Sequence, residues 1–374
     1  MTKYIWQSPH WPELKFDAQV LLPRLSICRR KQGELLSRIS TLDENFIIEA
    51  EASLLESEVI RTSEIEGLKL DPQSVRSSVA RKLGLEDAGI PKVGRYEDNL
   101  VEILLDATQV HTGKLSNERL FAWHAALFPS GYSGITPITT GAWRSDKDGT
   151  MQVISGRPGK QKVHYEAPPA ERLEKEMSAF MDWFNTPGDQ DGIIRAAIAH
   201  FRFVTIHPFD DGNGRLARII TDQAMAQDEK TSRRAYSLSA QIAGNRKGYY
   251  TILEQTQKGD GDITPWLLWF IDMLEKAILN SQTIIAHTLT KADFWKKHAT
   301  TQLNERQRKV INKLLDAGPD GFVGGLSNKN YVSIAKCGPA TATRDLKYLV
   351  DVGVLVKSNS GGRSTRYGVV WNDL

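Results

Sequence analysis

Apolar residues recur at helical spacing over most of this chain. From Ile47 to Ile60 they alternate with Glu and Arg in the pattern of an amphipathic helix, and residues 13 to about 85 read as helices. The polar stretch from Gly84 to Gly94, with Gly89 and Pro91 inside it, reads as a connection. The helical period returns at 96 and lasts to about 130, ending near Phe128-Pro129-Ser130-Gly131. Gly131 to Gly159 breaks it. This stretch is rich in Gly, Thr, Ser and Pro and holds the alternating run Met151-Gln152-Val153-Ile154. Then come Ser155-Gly156-Arg157-Pro158-Gly159 and a second extended run, Lys162-Val163-His164-Tyr165. Two short extended runs around a Gly/Pro connector predict a hairpin. Helices resume at Pro169 and continue to about 290, with breaks at His207-Pro208 and Gly259–Gly261.

The last stretch, 301–374, has a different rhythm. Leu303–Leu315, Lys329–Ala335 and Pro339–Val352 read as three helices. Val354-Leu355-Val356 and Tyr367-Gly368-Val369-Val370 then flank the turn Ser360-Gly361-Gly362-Arg363. Three helices followed by a two-stranded ribbon is the winged form of the helix-turn-helix. The expected fold is therefore mostly α: a helical core with one small hairpin, plus a C-terminal winged-helix domain.

Composition changes this picture little. Hydrophobic residues are 40% of the 374 and charged residues 25%, ordinary for a globular protein. Two isolated cysteines, Cys28 and Cys337, offer no disulfide framework and no paired zinc ligands, so the expected compartment is a reducing cytoplasm. The opening residues lack the apolar run of a signal peptide. Ile263–Leu274 is apolar but short, and Pro265 and Asp272 interrupt it, so no membrane partner is expected. Charge is uneven. Residues 301–374 carry 11 Lys/Arg and 6 Asp/Glu, a balance of +5, which leaves −2 for residues 1–300 of a chain whose total is +3. A basic winged helix permits DNA binding, through Thr341, Thr343, Arg344 and Lys347 on its recognition helix and Arg363 and Arg366 on its wing. Such modules also dock proteins or dimerise, which leaves a homodimer open.

The segment that speaks of chemistry is His207-Pro208-Phe209-Asp210-Asp211-Gly212-Asn213-Gly214-Arg215-Leu216-Ala217-Arg218. The helical run Ile193–Ile206 must stop before Pro208, which displays His207 at a helix end. Asp211-Gly212-Asn213-Gly214 reads as a tight turn of positive φ and close approach. A second helix starts there, since Leu216, Ile219, Ile220 and Met225 keep helical spacing. A Gly-rich turn opening a helix aims free N–H groups at an anion. Two arginines in that first turn are electrostatically out of place unless a polyphosphate is bound. A carboxylate beside a phosphate cradle suits Mg²⁺, and a histidine beside it suits a general base.

These residues match the motif HPFx[DE]GNGRxxR at every specified position, and the chain resembles the Fic (Fido) family of protein adenylyltransferases. The resemblance implies AMP transfer from ATP to a Ser, Thr or Tyr hydroxyl of a protein, with pyrophosphate leaving. It casts His207 as base, Asp211 as Mg²⁺ ligand, Gly212, Asn213 and Gly214 as cradle for the α- and β-phosphates, and Arg215 and Arg218 as phosphate ligands. Leu216 and Ala217 complete the ATP-binding run, and Phe209 is a core anchor. Asn245-Arg246-Lys247-Gly248-Tyr249-Tyr250 resembles the adenine-side segment, with Tyr250 and less firmly Tyr249 lining the base. The hairpin at about 151–165 resembles the flap that holds a target by strand addition. Thr62-Ser63-Glu64-Ile65-Glu66-Gly67 matches the inhibitory motif [ST]xxxE[GN]. Glu66 would end a helix that Gly67 caps, the wrong charge for that end, and the resemblance supplies Arg218 as its partner at the γ-phosphate position. Tyr4-Ile5-Trp6-Gln7 and Trp11-Pro12 resemble an N-terminal module often joined to such enzymes.

The expected domains are 1–95, a helical module with the inhibitory helix at about 47–67, then a catalytic core at 96–290 whose Fido segment is about 118–274, then 301–374. Self-modification is a further expectation. The competing reading, from another class, is a winged-helix DNA-binding transcription regulator whose core only senses nucleotide. Intact His207 and Asp211 weigh against it, because a sensor needs no base.

Overall fold

The computed structural model describes residues 3–85, 93–147, 149–157, 160–317, 325–357 and 365–370. The chain divides into two compact units, Met1–Gln282 and Thr283–Leu374. In the first, three helices lead: α1 (Ala18–Ser40), α2 (Glu44–Ile65) and α3 (Pro72–Leu83). Asp17 caps α1 by accepting from the Gln19 and Val20 N–H groups, and Asp71 followed by Pro72 opens α3. Gly84, at φ 71°, closes α3. Residues 86–92, including Gly89 and Pro91, lie outside the described residues.

α4 (Arg95–Gln109) and α5 (Asn117–Leu127) follow, then a two-residue ladder of β1 (Tyr132–Ser133) and β2 (Thr136–Pro137). The expected hairpin is present as β3 (Gln152–Ser155) and β4 (Lys162–Glu166), antiparallel, with a register shift after Val153. The N-terminal segment backs this hairpin. Tyr4 stands edge-on to Tyr165 with ring centres 5.3 Å apart, and the Trp6 indole donates to the Glu166 carbonyl at 2.8 Å. The Tyr165 hydroxyl donates in turn to the Thr205 carbonyl at 2.7 Å.

α6 (Leu173–Asn185), α7 (Gly192–Ile206), α8 (Asn213–Glu229), α9 (Leu238–Gly244), α10 (Arg246–Gln257) and α11 (Thr264–Lys297) complete the helical run. It reaches Lys297 rather than about 290. It also breaks at 186–191, where Asp191 starts α7 by accepting from the Ile193 N–H at 2.9 Å. α7 forms the centre. From Ile193 to Ile206 every residue except Arg195 is buried, as expected of a helix apolar on all sides. α8 packs against α7 and is buried from Asn213 to Ala226 apart from Gly214.

The second unit, which begins within α11, holds α12 (Glu305–Asp316), α13 (Asn328–Ala335), α14 (Pro339–Asp351) and the ribbon of β5 (Leu355–Lys357) and β6 (Tyr367–Val369). Val310, Leu314, Leu346, Leu349 and Leu355 lie in its core. Gly338-Pro339 opens α14, and Arg344 and Lys347 on that helix are exposed. The expected turn Ser360–Arg363 lies outside the described residues. Among the described residues no helix is long and apolar enough to cross a membrane.

Candidate functional site

The connection from α7 to α8 is where backbone conformation turns into chemistry. His207 caps α7 at φ 52°, ψ 59°, a left-handed conformation seldom taken by a residue with a side chain. Two groups hold it there. Its N–H donates to the Phe203 carbonyl at 2.9 Å, and the Arg144 Nε donates to its carbonyl at 2.8 Å. Arg144 also donates to the Pro168 carbonyl at 2.6 Å and to Asp146 at 2.9 Å, while its N–H reaches the Pro208 carbonyl at 3.0 Å. Arg144 is thus the brace of the loop.

The His207 Nδ1 lies 3.2 Å from the Val204 carbonyl. A carbonyl only accepts, so Nδ1 carries the hydrogen and the Nε2 lone pair is left to accept a proton. Burial, the main cause, pushes the imidazole down to about 4, so it is neutral near pH 7.

Below His207, Phe209 is fully buried, stacked on His124 at 4.1 Å between ring centres and packed on Trp143 at 5.0 Å. The Asn213 side chain closes the loop on itself. It accepts from the Phe209 N–H at 3.0 Å and donates to the Phe209 carbonyl at 2.8 Å. Its expected place in a phosphate cradle is therefore limited to its backbone N–H. His124 accepts at Nδ1 from the Gly141 N–H at 3.2 Å, so its Nε2–H donates to the Asp211 carbonyl at 3.1 Å.

Gly212, at φ 82°, is the N-cap of α8, and a side chain there would meet the Phe128 ring at 2.8 Å. Gly214 takes no left-handed turn, contrary to expectation. It lies within α8, and a β-carbon there would stand 2.5 Å from the end of the Glu66 side chain, which would have to shift. The first backbone bond within α8 runs from the Leu216 N–H to the Gly212 carbonyl at 3.0 Å, so the amides of 213–215 precede the helical ladder. Leu216 and Ala217 are wholly buried, a packing position rather than a surface that a ligand could touch.

Glu66 is the C-cap of α2, and Gly67 follows at φ 81°. Its carboxylate accepts from the Arg218 Nη2 at 2.7 Å. Arg218 is 2% exposed and also donates to the Thr62 hydroxyl at 2.7 Å and the Thr62 carbonyl at 3.0 Å. Burial works against its charge, and the neighbouring Glu66 more than restores it. Its Nη1 is buried with no hydrogen-bond partner among the described residues and lies 3.3 Å from the point a Gly214 β-carbon would occupy. Arg215 donates to the Tyr96 hydroxyl at 2.9 Å, sits over the Phe128 ring and lies 3.7 Å from Asp211. Asp211 accepts from the Ser133 hydroxyl and from the Gly212 N–H, and its side chain keeps 42% exposure. A cavity of about 410 Å³ opens here, lined among others by Glu66, Tyr96, Phe128, Ser133, Asp211 and Arg215.

The two tyrosines of α10 part company. Tyr249 is buried, its hydroxyl 2.8 Å from His200 Nε2 and its ring against Trp266 and Trp269. Tyr250 is 39% exposed and donates to the Ile65 carbonyl at 3.3 Å, one residue from Glu66.

A family profile described as "Fic/DOC family" matches residues 114–225, and one described as a domain of unknown function (DUF4172) matches 4–85. A protein adenylyltransferase Fic of Nematostella vectensis is 36% identical over 132 residues, 33% of this chain and 29% of that one. A uridine 5′-monophosphate transferase of Xanthomonas campestris is 34% identical over 164 residues, 42% of this chain and 26% of that one. These matches span less than a third of either relative. A Fic family protein of Desulfovibrio desulfuricans has the same fold at 19% identity and a TM-score of 0.53, over 94% of this chain and 97% of the other.

Proposed function

Given a chain that carries a Fic/DOC domain, we propose that it transfers AMP from ATP to a Ser, Thr or Tyr hydroxyl of a partner protein, with His207 as the base. The observation that carries this is the loop from His207 to Arg218. It sets an imidazole and a buried guanidinium donor, whose Nε2 and Nη1 have no partner among the described residues, beside helix-start amides. A buried unpaired donor costs about 1–3 kcal/mol, and a phosphate oxygen would relieve that cost. The amides of 213–215, Arg215 and Arg218 would hold and neutralise the triphosphate. His207 Nε2 would take the target's hydroxyl proton as its oxygen attacks the α-phosphorus and pyrophosphate leaves. Tyr250, the exposed one of the two α10 tyrosines, would line the adenine.

Asp211 suits Mg²⁺, an ion commonly held by one or two carboxylates with waters and phosphate oxygens. Its half-exposed carboxylate at the head of the cradle fits such a place. The ion would supply charge neutralisation at the phosphates.

Glu66 takes the Arg218 Nη2 that a γ-phosphate would otherwise use, which supports inhibition of the chain by its own α2. The hairpin, with open outer edges, suits the capture of an extended target segment. The C-terminal helices and ribbon we read as a winged helix, a separate unit for docking DNA or protein.

The test is labelling of lysate proteins with ATP carrying its label on the α-phosphate, beside UTP labelled likewise, since one relative is a UMP transferase. AMP on protein is expected. A transferred γ-phosphate, or a preference for UTP, would replace this reading.

A further inference from the structure

A hairpin of two strands is marginal in water on its own, because it has no second layer to bury a face against. The β3–β4 ribbon finds that layer far earlier in the chain. Tyr4 and Trp6 form one buried cluster with Tyr165 and Ala167, and Trp11, Met151 and Val153 pack against it. The Trp6 indole holds the Glu166 carbonyl at the end of β4, and the Arg172 guanidinium lies 5.2 Å over the Trp6 ring. The segment is fastened elsewhere too. The Trp11 indole donates to Glu176 of α6 at 2.7 Å, and Lys15 exchanges backbone bonds with Gly261 and Ile263 just before α11, at 2.9 and 2.8 Å.

The cover is uneven along the ribbon. Val153 pairs with Tyr165 but Ile154 with Val163, so His164 is the extra residue of a bulge. Beyond the bulge Ile154 and Val163 are 46% and 37% exposed. There the ribbon is held by the row Ser155–His164–Glu254, in which the imidazole lies 2.6 Å from the Ser155 hydroxyl at Nε2 and 2.6 Å from Glu254 at Nδ1. Lys258 first, with His164, holds the Glu254 carboxyl at about 2, so it accepts and Nδ1 carries the hydrogen. The covered half is the one tied to the catalytic loop. Tyr165 meets the Tyr4 ring edge-on, and its hydroxyl bonds the Thr205 carbonyl two residues before His207. Just past β4, Arg144 bridges the Pro168 and His207 carbonyls.

We propose that residues 4–11 are the second layer of the target-holding ribbon, with Tyr4 and Trp6 as positioning residues for transfer to protein. This gives the opening of the segment matched as DUF4172 a task. It rests on the reading of the hairpin as the strand that receives the target. Both rings act through Tyr165 and Glu166 rather than on the phosphates: they keep that strand in fixed register with His207. Geometry of this kind matters because a reacting group misplaced by about 1 Å can lose about 100-fold in rate.

The experiment uses the full chain carrying Glu66→Gly. Amide exchange, calorimetric titration of ATP, and labelling of lysate proteins with ATP labelled on its α-phosphate are measured side by side. Tyr4→Ala should quicken exchange at 151–153 and 165–167 and leave α7 and α8 slow. It should cut protein labelling about 100-fold while ATP affinity is kept. Tyr4→Phe keeps the ring and should restore both labelling and exchange. Trp6→Phe loses the bond to the Glu166 carbonyl, a milder change should Tyr4→Ala fail to fold, and is expected to cost about tenfold in labelling. Parental labelling in Tyr4→Ala, unchanged exchange in the ribbon, or a loss that Tyr4→Phe does not repair would each overturn the proposal. So would a fall in ATP affinity that matches the fall in labelling, since Tyr4 would then serve the whole fold. A parent that binds ATP yet labels no protein would sink the AMP-transfer reading, and the exchange pattern would still decide whether the segment orders the ribbon.

Discussion

His207 and His164 share a tautomer but not a situation. Each has its Nδ1–H tied to an oxygen, so each presents Nε2 as an acceptor. The tie of His207 is a backbone carbonyl in the helical core, and the Nε2 beyond it has no hydroxyl. The tie of His164 is a carboxylate on α10, and its Nε2 is already filled by Ser155. A carboxylate stabilises an imidazolium far better than a carbonyl does, at the cost of fixing the imidazole to one nearby hydroxyl. A base proposed to serve hydroxyls from other molecules keeps its acceptor open and its backbone rigid, whereas His164 has its acceptor filled by its own chain.

Four measurements break or sharpen that contrast. The largest effect is expected from His207→Ala, which should lower AMP transfer to lysate proteins by roughly 10²- to 10⁴-fold while ATP still binds in a calorimetric titration. Full residual transfer would remove the distinction between the two histidines. Next, Glu66→Gly should raise transfer by about 5- to 150-fold, the range of an ordinary regulatory coupling, and adding Arg218→Ala should cancel the gain. An unchanged rate in folded Glu66→Gly would make the Glu66–Arg218 pair structural only.

Asn213→Ala strips the paired N–H and carbonyl of Phe209, and urea unfolding should show a loss of about 1–3 kcal/mol. No such loss would mean that the His207 loop needs no internal clasp. The smallest effect per step is acid sensitivity. Burial pushes His124 and His207 down to about 4 and His200 to about 3, against 6.5 for a free imidazole. The unfolded chain binds these protons first, so stability is full above pH 6.5 and falls as pH drops toward 4. Each histidine contributes at most about 1.4 kcal/mol per pH unit. His200→Asn should flatten that slope, and an unchanged slope would contradict the burial argument.

The α7–α8 loop was legible in the chain because its parts are neighbours in sequence: a proline that ends a helix, a glycine turn, two arginines at a helix start. Glu66 is legible through its match to the inhibitory motif, with a charge at the wrong end of its helix as the physical sign beside it. Arg144 was not. It reaches His207 across 63 residues from a stretch without periodicity, and no local pattern marks a side chain whose contacts with the loop are to a carbonyl. Gly214 suggests a positive φ in the sequence, whereas in the structure it is an ordinary helical residue beside the end of the Glu66 side chain. The Ser155–His164–Glu254 row escaped because it depends on a one-residue register shift, which alternation alone does not reveal.

One consequence concerns how Glu66 could let go of Arg218. About two turns earlier on α2, Glu58 is 1% exposed and bonds the Ser237 hydroxyl, the Ser239 hydroxyl and N–H, and, at 3.6 Å, Arg234. Arg234 is itself held by Asp222 of α8 at 2.7 Å. Undocking α2 would pull a charged side chain out of that cluster and leave Arg234 short of a counter-charge, a move that costs about 3–5 kcal/mol for a buried pair. Rotating the Glu66 side chain unpairs only Arg218, a buried cation that an incoming phosphate would pair again, and leaves the Glu58 cluster in place. On the proposed inhibitory reading, release would belong to rotamers rather than helices. Amide exchange along α2 should then stay slow through turnover, and the cue that frees the site would need to reach only a single carboxylate.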